Sequence, residues 1–90
     1  MKYVLFYESA DDVLSKAPPN VLGHSARLRE FHARGTLLMA GVFANPQEGA
    51  LAIFTSQEAA EEFAMDDPFV LNGVVRAWSI RAWNESLDPR

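Results

Sequence analysis

At 90 residues the chain has room for one small domain, near the size at which a hydrophobic core is only just sufficient, so self-association is a natural way to bury more surface. It is 49% hydrophobic and 22% charged, which excludes the polar, aromatic-poor composition of a disordered chain. The net charge of -4, with scattered basic residues, argues against a nucleic-acid partner, and the lack of cysteine excludes disulfides, thiolate metal sites and a cysteine nucleophile.

The opening MKYVLFYES has an apolar run too short for a signal segment, and no stretch approaches the roughly 18 apolar residues of a membrane span. A soluble, cytoplasmic protein without membrane contact is expected. Lys2 to Glu8 is β-branched or aromatic at nearly every position, which predicts a first strand with apolar residues on both faces. Ser9 to Pro19 reads as a polar connection, with Asp11 and Asp12 in a loop and Pro18 and Pro19 fixing an extended approach. Asn20 is then the expected N-cap of a helix running to about Arg34. On the helical wheel Val21, His24, Leu28 and Phe31 share one stripe, with Ala26, Arg29, Glu30 and Ala33 opposite. Gly35 ends the helix in the left-handed conformation, and Thr36 to Phe43 predicts a second strand, in which Gly41 marks a bulge or a close approach to the backbone.

ANPQEG (44–49) has hairpin-loop chemistry and leads into a third strand over 50–55. The next helix starts at Thr55 or Ser56, where Thr55 and Glu58 have capping-box spacing; Ala59, Ala60, Phe63 and Ala64 form its narrow apolar stripe. Asp67-Pro68 stops it, because the residue before proline is pushed out of the helical region, and Asp67 can cap one further turn ending at Gly73. Val74 to Trp83 predicts the fourth strand, closing a single domain over 1–83, and 84–90 a loose polar tail. The order β-α-β-β-α-β implies an α+β, ferredoxin-like sandwich: an antiparallel four-stranded sheet with two helices on one face. Tyr3, Leu5 and Tyr7 alternate with Val4 and Phe6, and Val74, Trp78 and Ile80 with Val75, Ala77 and Trp83, so a second apolar face is left uncovered. A homodimer through that sheet face is the simplest cover.

In this topology the first helix and the fourth strand begin at the same end of the sheet, so His24 and Asp67 are predicted neighbours. An aspartate accepting from one imidazole nitrogen fixes the tautomer and leaves the other nitrogen to act as general base or acid. His24 and Asp67 are therefore the candidate catalytic residues, with Gly41, Phe69 and Tyr7 as candidates to line a small-molecule site beside them. The competing structural reading is a core histidine held by a hydrogen bond and an aspartate that only caps a helix; one carboxylate has oxygens for both. His32 lies about 12 Å further along the helix, too far to share a metal with His24, and reads as a helix-end residue. Ser25 points about 100° away round the helix, against a Ser-His nucleophile. Glu61, Glu62 and Asp66 read as a solvated face, and no metal or cofactor is expected. Three readings stay open: a cofactor-independent lyase or isomerase, a monooxygenase-like enzyme, and a non-catalytic binding or accessory module.

The segments GHSARLREFHARGTLLMAG, TSQEAAEEFAMDDPFVLNGVV and WSIRAW together resemble the YCII-related (YciI-like) family over about residues 1 to 83. The more specific elements are His24, the spacing of Gly35 and Ala40-Gly41, and Asp67-Pro68-Phe69 followed by Gly73. The resemblance implies a dimeric α+β barrel whose His and Asp pair, proposed in the family as a catalytic dyad, falls on His24 and Asp67. It also implies small cyclic or aromatic ligands without an obligatory metal. Val42 stands where the family usually has proline after the strand glycine, so the loop on the substrate side is expected to differ.

Overall fold

The β-branched and aromatic run at the start of the chain forms β1 (Lys2–Ser9), the strand around which the sheet is built. The computed structural model describes residues 1–88. The chain then runs through α1 (Val13–Lys16), α2 (Val21–Ala33), β2 (Leu37–Val42), β3 (Ala50–Phe54), α3 (Gln57–Met65), α4 (Pro68–Leu71) and β4 (Val75–Trp83). The strands lie in the order β2-β3-β1-β4, all neighbours antiparallel. This is the expected ferredoxin-like α+β sandwich, and among the described residues no helix is long and apolar enough to cross a membrane.

Register decides what faces the helices. Leu5 pairs with Ala52 and Ile80, and Tyr7 with Ala50 and Trp78, so these side chains share one side of the sheet. Leu5, Leu37 and Phe54 meet Phe31 of α2 and Ala60, Phe63 and Ala64 of α3 in the core. The Phe63 ring centroid lies 5.3 Å from that of Phe31 and 5.5 Å from that of Phe54. Each buried phenylalanine contributes about 1.5–3 kcal/mol. The alanines of α3 let Phe63 reach the sheet.

Several local expectations change. Pro18–Asn20 is a 3-10 turn running straight into α2, not an extended approach, because the fixed proline φ suits the first turn of a helix equally well. Asn20 makes no side-chain cap: it donates to the Lys16 carbonyl at 3.0 Å and accepts from Asn72 at 2.7 Å, tying the start of α2 to the end of α4. Val21 is 43% exposed, since the first turn of α2 neighbours that 3-10 turn and α4 rather than the sheet. Ser56, not Thr55, caps α3 by accepting from Ala59 N–H, while Thr55 N–H still donates to the Thr36 carbonyl at the sheet end. A register shift between Glu8 and Ser9 inverts the alternation of β4, so Val75 enters the core instead of joining Ala77 and Trp83 on the outer face.

The tail is fastened at its start. Lys2 donates to Glu85 at 2.6 Å, and that bond, with Glu85's own backbone, holds the Glu85 carboxyl down at about 2. Residues 89 and 90 of the tail lie outside the described residues.

Candidate active site

Asp67 does two local jobs because Pro68 follows it. Proline keeps Asp67 extended (φ -70, ψ 125), which lets its Oδ1 accept from Phe69 N–H at 3.1 Å and cap α4. Its side chain is 0% exposed, and it is the buried charged residue among those described. Burying a carboxylate is costly unless it is hydrogen-bonded, and two more donors reach it. The Tyr7 hydroxyl donates to Oδ2 at 2.6 Å, and His24 Nδ1 lies 2.9 Å from both oxygens. An ionised carboxylate only accepts, so His24 carries a hydrogen on Nδ1, and the neutral imidazole then shows its lone pair at Nε2. Burial first, then the bond to Asp67, pushes the Tyr7 phenol well above its ordinary value, which keeps it a donor.

His24 packs against two aromatic rings. Phe69 stacks on it with centroids 3.9 Å apart and planes 4° from parallel, and Phe63 meets it edge-on at 6.2 Å. Pro68 can come this close to α2 because Gly23 faces it: a Cβ there would sit 3.0 Å from Pro68 Cγ. Arg27, one turn beyond His24, donates to the carbonyls of Glu62 and Phe63 at the end of α3 and lies over the Phe31 and Phe63 rings. It clamps α2 to α3, a role that no wheel of apolar positions reveals.

The imidazole lies on the wall of a cavity of about 310 Å³ between the sheet and the helices, within the range of small-ligand sites. The space exists because helix-facing positions toward the loop end of β2 and β3 are small: Ala40 opposite Ala52, and Ala50, which pairs with Val42 at the cavity edge. Tyr7, Phe69 and Gly41 all line it. Gly41 is neither a bulge nor a close backbone contact. It pairs regularly with Leu51, the irregularity of β2 lies between Leu37 and Met39, and an added Cβ would meet nothing within 4 Å.

One end is closed by the β2–β3 loop, a 3-10 turn over Pro46–Glu48. Ser9 Oγ donates to the Pro46 carbonyl at 2.6 Å and Gln47 Nε2 to the Ala10 carbonyl at 2.9 Å. Nothing in the local spacing of Ser9, Gln47 and Arg27 marks them as residues that shape the site. His32 stands apart, its Nδ1 2.9 Å from the Leu37 carbonyl, where it ties the end of α2 to β2.

These features define a class: a ferredoxin-like α+β domain with a His-Asp pair on the wall of a ligand-sized apolar cavity. The chain matches the YCII-related domain over residues 1–84 and belongs to that family. It is 33% identical over 96 residues to Protein YciI of Escherichia coli O6:H1 (strain CFT073) and to Protein YciI of Shigella flexneri, covering 94% of this chain and 98% of each relative. Its fold is similar to that of 5-chloro-2-hydroxyhydroquinone dehydrochlorinase (TftG) from Burkholderia phenoliruptrix AC1100, whose structure holds 2,5-dihydroxybenzoquinone. The TM-score is 0.78 and the identity 19%, over 96% of both chains.

Proposed function

We propose that this protein is an acid–base enzyme of lyase or isomerase type, in which His24 Nε2 moves a proton on a small cyclic or aromatic ligand. Asp67 holds the tautomer and steadies the imidazolium formed, and Tyr7 and Phe69 N–H hold Asp67. The observation that carries this reading is the Nδ1 contact of 2.9 Å to a fully buried carboxylate, on a ring that lines the cavity. It is supported by the kinship in fold with a dehydrochlorinase, since loss of hydrogen chloride includes loss of a proton. The test is a panel of hydroxylated and enolisable ring compounds in deuterated water, with carbon-bound deuterium followed by NMR. His24→Ala should slow the exchange at least about 100-fold, the usual lower bound for a positioned acid–base group. Equal rates in variant and parent end this reading; a panel the parent leaves unexchanged favours a binding module.

The partner proposed is a second copy of this chain. Val4, Phe6, Leu51 and Ile53 lie on the sheet side away from the helices, and Met39, on that side of β2, is 63% exposed. The face is less apolar than the alternation implied, because β4 presents Ser79 and Arg81 there, Arg81 over the Phe6 ring. Sedimentation should give twice the 10.0 kDa of one chain for the parent, and a monomer for Ile53→Glu. A monomeric parent at concentrations up to about 100 μM refutes the pairing.

A further inference from the structure

We infer that the cavity selects an uncharged, flat ring that presents a hydrogen-bond donor to His24 Nε2, and that it rejects the isosteric carboxylate; this rests on the acid–base reading above. The polar side chains on its wall are His24, Tyr7 and Ser9, and no lysine or arginine lines it among the described residues. Each of the three has already committed a hydrogen. His24 Nδ1–H goes to Asp67, the Tyr7 hydroxyl goes to Asp67 Oδ2 at 2.6 Å, and Ser9 Oγ goes to the Pro46 carbonyl at 2.6 Å. What these side chains leave for a ligand is the lone pair on Nε2 of the neutral imidazole and the lone pairs of two hydroxyl oxygens, acceptors in each case.

A ligand matched to such a wall donates. A carboxylate only accepts, so it would face lone pair with lone pair and find no cation. It would also add a second negative charge near buried Asp67, where low dielectric strengthens the repulsion. A phenol-like ligand brings its own proton to Nε2, and the charge of the site is unchanged wherever that proton sits in the bond. Shape narrows the class further. Phe69 already covers one face of the imidazole at 3.9 Å, and Phe63 approaches it edge-on at 6.2 Å, so the ligand meets the ring in its plane, at Nε2. Below lies the sheet, with Ala40, Ala50 and Ala52 offering only methyl groups as a floor.

The probes are resorcinol and benzoate, flat rings of similar size, one neutral with donors and one anionic. Each is titrated into the full chain at neutral pH, with the His24 side-chain nitrogen resonances and the cavity methyls followed by NMR. Resorcinol is expected to shift both sets saturably, and benzoate to bind at least 10-fold more weakly. Ala50→Leu, which fills the floor at a half-buried position, should weaken resorcinol at least 10-fold; Ala40→Leu on the edge strand serves if the first variant loses its dispersed spectrum. Benzoate binding as tightly as resorcinol, resorcinol binding undiminished in the filled variants, or neither probe reaching the His24 nitrogens overturns the inference. Because these readouts need no turnover, they are separate from the deuterium-exchange test. Anion preference together with His24-dependent exchange would remove the selectivity argument and leave the acid–base reading standing.

Discussion

Replacing Asp67 with alanine is expected to lower the stability of the fold by about 3–5 kcal/mol, the usual cost of removing one partner from a buried, hydrogen-bonded charged pair. Three donors lose their acceptor at once: Tyr7 hydroxyl, His24 Nδ1–H and Phe69 N–H. The lost α4 cap, typically worth about 1 kcal/mol, is part of the same total. In a domain of this size each kcal/mol moves Tm by roughly 4–8 °C, so thermal unfolding should fall by more than about 10 °C. Asp67→Asn separates structure from chemistry. The amide keeps the shape and one accepting oxygen, at a cost of about 1–3 kcal/mol, but it turns N–H hydrogens toward Tyr7 or His24. Phe69 N–H keeps the oxygen at the Oδ1 place, so the amide nitrogen stands at the Oδ2 place, 2.9 Å from His24 Nδ1; Nδ1 then accepts, its hydrogen moves to Nε2, and the lone pair facing the cavity is gone. Nitrogen NMR of the His24 side chain should show that tautomer switch in a folded variant, with proton exchange lost alongside. Should alanine cost under about 1 kcal/mol, or the asparagine variant keep the Nδ1–H tautomer, Asp67 does not hold the site together as described.

Much of this geometry is legible in the sequence because it rests on strong local rules. Asp67-Pro68 fixes its own backbone and so announces both a helix stop and a new cap. Gly35 at φ 84 and the stripe of His24, Leu28 and Phe31 follow from periodicity and one positive φ, and topology brings His24 to Asp67. The features without a local signal depend on relations between segments. The register shift that turns Val75 inward is set by pairing with Ser9, which composition does not report. Tyr7 reads as one more aromatic of an apolar strand; that its hydroxyl ends 2.6 Å from a carboxylate sixty positions on is a property of the packed sheet. The cavity is hardest to read, because it is made by absence: Ala40, Ala50 and Ala52 look like ordinary strand alanines until pairing sets them side by side. A close-packed interior would fill that space with larger side chains. Small residues beneath a satisfied but buried His-Asp pair are the arrangement a ligand site needs, and they are spread over strands whose adjacency must be known first.

Gly49→Ala is the second substitution with a large expected effect, and it reaches the site through the backbone alone. Gly49 has φ 100 and ψ -157, a region open essentially to glycine, and a Cβ built there would lie 2.0 Å from the Tyr7 carbonyl oxygen. Backbone strain of about 1–3 kcal/mol adds to overpacking of about 1–3 kcal/mol, so the loss should be roughly 2–6 kcal/mol by chemical denaturation. Gly35→Ala is the control. Its φ is also positive, at 84, but nothing lies within 4 Å of the new Cβ, so it should cost only about 1–2 kcal/mol. The clash at Gly49 meets the β1 main chain, which cannot swing aside as a side chain would, and any retreat of Tyr7 carries its hydroxyl away from Asp67. Stability should therefore be coupled between the two positions. In the parent, Tyr7→Phe removes a bond to a buried charged acceptor and costs about 1.5–3 kcal/mol; on the Gly49→Ala background that bond is already stretched, and the same change should cost less by at least about 0.5 kcal/mol. Strictly additive losses would mean that the loop does not hold Tyr7 in place, and that β1 positions the phenol without help from the turn packed against it.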